Sequence, residues 1–541
     1  MPLVSRTFDQ LINFTRTSAA TFVGSNGLIQ TTPASVNLLT YTQEFDNAAW
    51  IKNVGATVAA NVAVAPDGTN TADRISFTND ELSRVQQATT SPLLAHAYSI
   101  WLRSESGSVT VRFGESGSLT AVTVTETWQR FTVAVTTANP NVTIRNEVAA
   151  GIKSVLAWGA QVEVGSVATT YTRNFGGRFP PRFDYNPTSL APRGLLIEEQ
   201  RTNLLLYSEQ FDNAYWTPSG ATVTANTSVA PDGTTTADTI DDGLTTGLHR
   251  VFRSPITTTA AAQTFSCFVK AGTGVWFQLT AFDGVTAFYA NFNVSTGVVG
   301  NKTAAATSSI TPFGNGWYRC VMTATTAATA AGNFQVVPLD ADTAAQTPSF
   351  TGANRTWFVW GAQHEANPFA SSYIATVASQ VTRTSDQPTI AAPNFASWYN
   401  SSEGTLVTEY DVIGINTSSE VVAAISDATA NNLFLPFVNS GGSTFVNVIS
   451  GGVTSANLNA GLVATNTTIK LATVYRANDF AASQNGAVPT VDTAGAVPVG
   501  ANTLNLGWAA PYGGLFLNGH LRRLTFYPTR LTNAQLQALS T

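Results

Sequence analysis

The chain has 541 residues, of which only 11% are charged, and a formal net charge of -6. An ordinary soluble protein is roughly 25% charged, so Thr, Ala, Asn, Ser and Gly form most of the surface here, and nothing is basic enough to follow a phosphate backbone, which excludes nucleic acid as the expected partner. Two cysteines exclude a disulfide framework and a cysteine-rich zinc module, no apolar run reaches the roughly 18 residues of a membrane span, and a prior of roughly 150 residues per domain gives three or four domains.

Residues 1–36 open the chain. MPLVSRTFDQLINF lacks the charged-then-apolar order of a signal peptide. The composition is that of an adhesive extracellular β protein, yet no export signal is legible. A protein folded in a host cytosol and released by lysis reconciles the two.

The first patterned block is NLLTYTQEFDNAAW at 37–50, and it returns at 203–216 as NLLLYSEQFDNAYW. GATVAANVAVAPDGTNTAD (55–73) returns as GATVTANTSVAPDGTTTAD (220–238), and across both windows 24 of 33 positions are identical. Unrelated sequence would match at roughly two, so this is an internal duplication. The far ends also agree, WGAQVEVGSVATTY (158–171) with WGAQHEANPFASSY (360–373). The copies therefore span 37–176 and 203–380, the second being longer through its loops after Phe268. Inside them Val109, Val111 and Phe113 alternate with polar neighbours, as do Phe131, Val133 and Val135. Period-two alternation between Gly, Asn and Asp turns predicts half-buried antiparallel strands and a jelly-roll β-sandwich.

The duplication sorts candidate residues. Cys267 aligns with Ile100 and Cys320 with Phe131, which marks both as core positions. Trp50, Trp216, Trp158 and Trp360 repeat within apolar patterns and are expected inside. Asp67, Asp73, Asp232 and Asp238 of the APDGTxTAD motif are the calcium candidates, set against a Pro-Asp-Gly turn whose second Asp caps backbone amides. Ligand candidates are sought where the copies differ: Tyr215 in place of Ala49, Trp276 after the turn AGTG, and Asp241, Asp242, His249 and Arg250 in DDGLTTGLHR. A concave site needs an aromatic platform and a few polar groups, and the second copy has that inventory.

Between the copies, RFPPRFDYNPTSLAPRGLLIEEQRTNLL is rich in proline and expected to be extended, so 177–202 is read as a connector. A second connector covers 381–398. Neighbouring Glu198 and Glu199 face opposite ways on an extended chain and cannot flank one bond. TRTS, TRNF and TRTS recur at 15, 172 and 382, each at a module boundary, as a strand used at junctions would.

From 399 to 541 the repeat is absent. EGTLVTEYDV and HLRRLTFY read as strands, and LTNAQLQAL as a short closing helix, with Thr532 and Gln535 as a capping box and Leu531 stapled onto Leu536. The final strand, tyrosine and closing helix resemble concanavalin-like and laminin-G-like jelly rolls. PRFDY…APRGLLIE leading into TNLL…W resembles a segment of bacteriophage structural proteins, in which a piece like FTRTSAATFVGSNGLIQ (14–30) precedes it. Here the first copy stands between those two pieces, as if inserted into an older layout. The N-terminal piece then has two possible seats, its sequence neighbour or a later domain. The copies resemble carbohydrate-binding-module sandwiches.

Searching for chemistry returns little. His96, His249, His364 and His520 are scattered, and no G-x-S-x-G, P-loop or H-E-x-x-H motif occurs. A glycosidase pair drawn from distant carboxylates stays open. The resulting expectation is an all-β protein of three tandem β-sandwich (jelly-roll) domains joined by extended, proline-containing connectors. The resemblance implies a non-catalytic bacteriophage virion protein, a tail fibre or a head fibre and decoration protein, attaching to host-surface glycans. No cofactor, nucleic acid or membrane insertion is expected. Residues 1–36 are the expected anchor to other virion proteins, and a homotrimer is an open assembly state, no heptad stretch being present to enforce one. The alternatives are a tailspike-like polysaccharide depolymerase and a structural capsid decoration protein without a ligand.

Overall fold

A computed structural model describes residues 8–34, 36–147, 153–174, 179–326, 331–392 and 394–541. The first seven residues of the expected anchor, and the boundary proposed at residue 176, lie outside the described residues. Almost all regular structure is antiparallel β-strand, and the chain divides into two compact units.

One unit contains Met1–Ser18, Pro33–Pro180 and Gln387–Trp398. Its body is the first copy, a sandwich of two five-stranded sheets. One sheet runs Ser118–Val124, Val109–Glu115, Asn141–Asn146, Arg84–Ala88, Ile51–Asn53, and the other Gln129–Thr137, Leu94–Arg103, Lys153–Val164, Ala72–Phe77, Thr57–Ala63. Phe45, Trp50, Ile100, Phe113 and Ile144 fill the space between them. Asn13–Thr15 pairs with the strand Gln387–Ala391, and Arg16 donates to the Pro180 carbonyl at 2.7 Å.

The other unit contains Ala19–Thr32, Pro181–Asp386 and Tyr399–Thr541. The second copy repeats the strand order of the first with one strand added to each sheet: Val298–Lys302 on one and Ala306–Pro312 on the other. The extra length of this copy is therefore largely sheet and not the loops expected. Alternation sets the strands' faces. In Trp317–Thr325, Cys320, Met322 and Ala324 enter the core while Arg319 and Thr323 point out. Cys267 and Cys320 lie directly opposite each other on paired strands, both fully buried thiols. Burial pushes the Cys267 thiol up to about 12.

The C-terminal sandwich has one sheet ordered Arg182–Tyr185, Pro192–Ile197, Gly519–Tyr527, Glu403–Val412, Ile469–Arg476, Phe480–Gln484, Thr490–Asp492. Its facing sheet includes Thr503–Leu506, Ala423–Ser426, Leu433–Val438, Ser443–Ser450 and Val453–Leu462. Residues 181–202 are extended, as proline demands, but they are not a spacer. They supply the first two strands of this sheet and then Arg201–Asn203, which pairs with Val381–Arg383. The hairpin Thr21–Val23/Ile29–Thr31 also belongs to this unit. The Val23 N–H donates to Asp184 Oδ1 at 2.6 Å and the Ile29 N–H to the Pro231 carbonyl at 3.0 Å. The N-terminal piece is thus divided: residues up to Ser18 belong with the first copy's unit, and the hairpin from Ala19 to Thr32 belongs with the second copy's unit. Of the three TRxx segments, only Thr15 and Thr382–Arg383 lie in strands among the described residues; Arg16–Ser18 and Thr172–Asn174 do not.

The closing helix Asn533–Leu539 carries the capping box expected of Thr532 and Gln535, with Leu531 and Leu536 in one cluster.

Candidate functional site

The repeated words are the fold's hydrogen-bonding frame. Asn37 donates to the carbonyls of Ala160 and Thr172 and accepts from the N–H groups of Leu39 and Val162. Asn203 does the same for Ala362, Ile374, Leu205 and His364. Trp50 and Trp216 are buried, their indoles donating to the carbonyls of Tyr41 and Tyr207. Trp158 and Trp360 pack on Tyr171 and Tyr373 at 4.7 and 4.6 Å.

The calcium candidates face N–H and O–H donors, which a cation cannot replace. Asp73 accepts from the Phe45 and Asn61 amides, and Asp238 from those of Phe211 and Asn226. Asp67 and Asp232 close turns onto Thr69 and Thr234.

The ligand candidates do not converge on one place. Asp242 is fully buried and holds the amides of Ala353 and Arg355 and the Arg355 guanidinium. His249 is fully buried too, its two ring nitrogens facing the carbonyls of Gly220 and Phe350. Neither can meet a ligand; both fasten the second copy's inserted loops. Asp241 closes a turn onto the Gly243 amide. Arg250 lies over Phe252 and bonds Gln335, and Trp276 stands in the strand Trp276–Phe282. Tyr215 borders a cavity, with Arg253 stacked over its ring at 4.3 Å.

A different cavity, of about 370 Å3, brings hydroxyls, aromatic rings, guanidinium groups and carboxylates together. One wall is the outer face of the second copy's sheet. Thr307, Ser309 and Thr311 point out from the added strand Ala306–Pro312, beside Arg319 and Thr323 of its neighbour. Phe313 packs edge-on against Phe268 at 4.9 Å, and Arg319 lies over Phe268 at 5.4 Å. The Arg319 guanidinium is anchored on the Ser371 carbonyl and the Ser266 hydroxyl, while its Nε has no partner. Phe369 and Tyr373, the hairpin at Thr21–Ile29, and Asp184, Glu198, Arg193 and His520 are among the other lining residues.

Both lining carboxylates are committed. Asp184 takes the Val23 amide on Oδ1 and His520 Nε2 on Oδ2 at 2.9 Å. His520 Nδ1 meets Asp411 at 2.7 Å. Burial works against a charge on this imidazole, but the two carboxylates outweigh it and hold its pKa above the ordinary value. Glu198 is buried with Arg182 at 2.7 Å and Arg383 at 3.4 Å, and takes the amide and hydroxyl of Ser372. Burial raises its pKa, but Arg383, Arg182 and Ser372 together hold it well below the usual carboxylate range. Glu199 turns the other way, to Arg201, Asn367 and Asn416, as neighbours on an extended chain must.

Sequence reasoning missed this cavity. Its one signal is TSSITPF at 307–313, which has no counterpart in the first copy.

No family model matches the chain. No curated protein matches it either. Among solved structures, it is similar to the CBM40 of the Ruminococcus gnavus IT-sialidase, at 16% identity over 28% of this chain and 89% of that one, with a TM-score of 0.24. The tandem CBM22-1–CBM22-2 domain of Paenibacillus barcinonensis Xyn10C matches at 11% identity over 62% and 99%, TM-score 0.21. Mouse laminin alpha1 LG4-5 matches at 10% over 52% and 86%, TM-score 0.19. At these scores the likeness says nothing of a ligand, and the fold described above stands on its own strands and pairing.

Proposed function

We propose that this chain is a non-catalytic, glycan-binding component of a bacteriophage virion, a surface appendage of the tail-fibre or head-fibre type that attaches to host-surface polysaccharide. The observation that carries glycan binding is the cavity at the added strand Ala306–Pro312. Aligned hydroxyls on a sheet face, phenyl rings at one end and an anchored guanidinium suit the alternating hydroxyl and C–H faces of a sugar. Virion residence rests on the segments resembling bacteriophage structural proteins.

The absence of catalysis is supported by what the lining carboxylates do. Glycoside hydrolysis needs one carboxyl poised to give a proton and a second to attack or to activate water. Asp184 and Glu198 are instead each saturated by cationic and N–H partners.

The test is incubation of the whole protein with host capsule or lipopolysaccharide. Retention on the immobilised polysaccharide, with no new reducing ends, is expected. Phe313→Ala should weaken retention about fivefold, by loss of an aromatic platform worth about 1 kcal/mol, while the circular dichroism spectrum stays that of the folded protein. Release of reducing ends would favour the depolymerase. Stoichiometric binding to tailless capsids without any glycan retention would favour the decoration protein.

A further inference from the structure

The second copy has another cavity, of about 710 Å3, bordered by Tyr215, Arg253, His364, Thr257, Leu206 and Ser379 among others. Three of these positions carry different chemistry in the first copy. Tyr215 stands where the first copy has Ala49, Arg253 where it has Gln87, and His364 where it has Val162. In the first copy the place is closed by bonding. The Thr40 amide donates to Gln87 Oε1 at 2.7 Å, and Gln87 Nε2 donates back to the Thr40 carbonyl at 2.9 Å, so the side chain staples neighbouring backbone. Val162 is plain core there.

In the second copy that staple is replaced by a guanidinium stacked on a phenol ring, 4.3 Å from its centroid. Arg253 forms no ion pair among the described residues, and its Nε has no hydrogen-bond partner among them; the guanidinium hydrogen-bonds the Tyr215 side chain. Among the described residues, no acidic side chain lines the cavity. An arginine without a carboxylate partner is costly to shield from water, and its planar fork matches a carboxylate in two parallel hydrogen bonds. Leu204, Leu206 and Ile256 give the cavity apolar walls, and Thr257 and Ser379 bring hydroxyls to it. Its volume falls in the range of small-ligand sites, roughly 300–1,000 Å3. His364 adds no charge. Its Nε2 faces Gln263 Oε1 at 2.8 Å, and burial lowers its pKa to about 3.

We propose that this cavity is a second binding site, particular to the second copy, for a small organic carboxylate, with Arg253 holding the anion and Tyr215 fixing the guanidinium's plane. That the carboxylate is borne by a sugar, as in a uronic acid, rests on the glycan-binding reading above; the requirement for an anion does not. The site shares no lining residue with the cavity at Phe313.

The test is calorimetric titration of the full chain with glucuronate and, separately, with glucose. Glucuronate is expected to bind with a Kd of about 1 mM and to weaken as salt is raised. Glucose should give no heat. Arg253→Gln and Tyr215→Ala each install the residue that the first copy carries, so both should fold with an unchanged circular dichroism spectrum. Arg253→Gln should lose at least about tenfold in affinity and Tyr215→Ala a smaller factor. Equal binding of glucose and glucuronate, binding of neither, or full affinity in Arg253→Gln would each overturn the proposal. Phe313→Ala separates the two readings. It should lose polysaccharide retention while glucuronate binding survives. If polysaccharide is never retained but glucuronate binds through Arg253, only the glycan reading of the first cavity fails.

Discussion

Asn203 serves two carbonyls and two amides from three segments of its copy, and no other side chain has the donors and acceptors in that order at that length. Asn203→Ala leaves those buried groups unpaired, at about 2 kcal/mol or more, and should lower the melting temperature measured by calorimetry by several degrees; Asn203→Asp, which cannot donate, should do nearly as much. His520 makes a pH-dependent contribution. It bridges Asp184 and Asp411, with Arg522 also on Asp411 at 3.3 Å. Its folded pKa lies above the unfolded value near 6.5. The stabilisation is therefore fully present below that unfolded value and is lost as pH rises through the folded one. The stability difference between wild type and His520→Gln in urea melts should be largest below the unfolded value near 6.5 and shrink as pH rises above it; a pH-independent difference would mean that the imidazole is not charged in the fold. Glu198 answers to the opposite rule. Its folded pKa is depressed, so it stabilises above the usual carboxylate range and fails in acid. Glu198→Ala leaves Arg182 buried with one carboxylate fewer and should cost about 3–5 kcal/mol.

At the scale of elements, the alternation of Trp317–Thr325 and the period of its neighbours were legible because a half-buried strand must place every second residue in the core. The closing helix was legible from four residues, because capping is local. Thr532→Ala should cost about 1 kcal/mol, read as a small drop in the urea midpoint. The added strands Val298–Lys302 and Ala306–Pro312 were not legible as sheet. TSSITPF holds one aliphatic residue among hydroxyls, and what keeps it extended is pairing with Trp317–Thr325 rather than its own pattern. The same reason hid the cavity at Phe313. Its wall is made by two strands of one copy, a loop 50 residues on and a hairpin near the N-terminus, and no window of sequence contains them together. Tyr215 was singled out by comparing the copies, whereas its partner Arg253 was not, since the pairing runs between a turn and a strand.

For the whole molecule, the internal duplication predicted two similar sandwiches, and the structure has them. The hairpin Thr21–Val23/Ile29–Thr31 and residues 181–202 belong to the same unit, although the first copy separates them in the chain. A chain in which 33–180 is replaced by a Gly/Ser linker of about ten residues should therefore melt cooperatively, close to one transition of the full protein, and retain polysaccharide; a molten chain would show that the first copy is needed for the second unit to fold. A chelator should leave every transition of the full protein in place, because the four candidate aspartates are spent on backbone and hydroxyl donors. By itself the sequence determined the all-β class, the repeated frame of Asn, Asp and Trp, and the capped final helix, because periodicity, duplication and capping act between residues close in the chain or copied along it. Only the tertiary structure decided that Asp242 and His249 are interior fasteners, that the connector is sheet, and that Arg253 meets Tyr215. Those outcomes depend on which distant segments come to share a buried volume, and burial is what turns a polar residue from ligand group into scaffold.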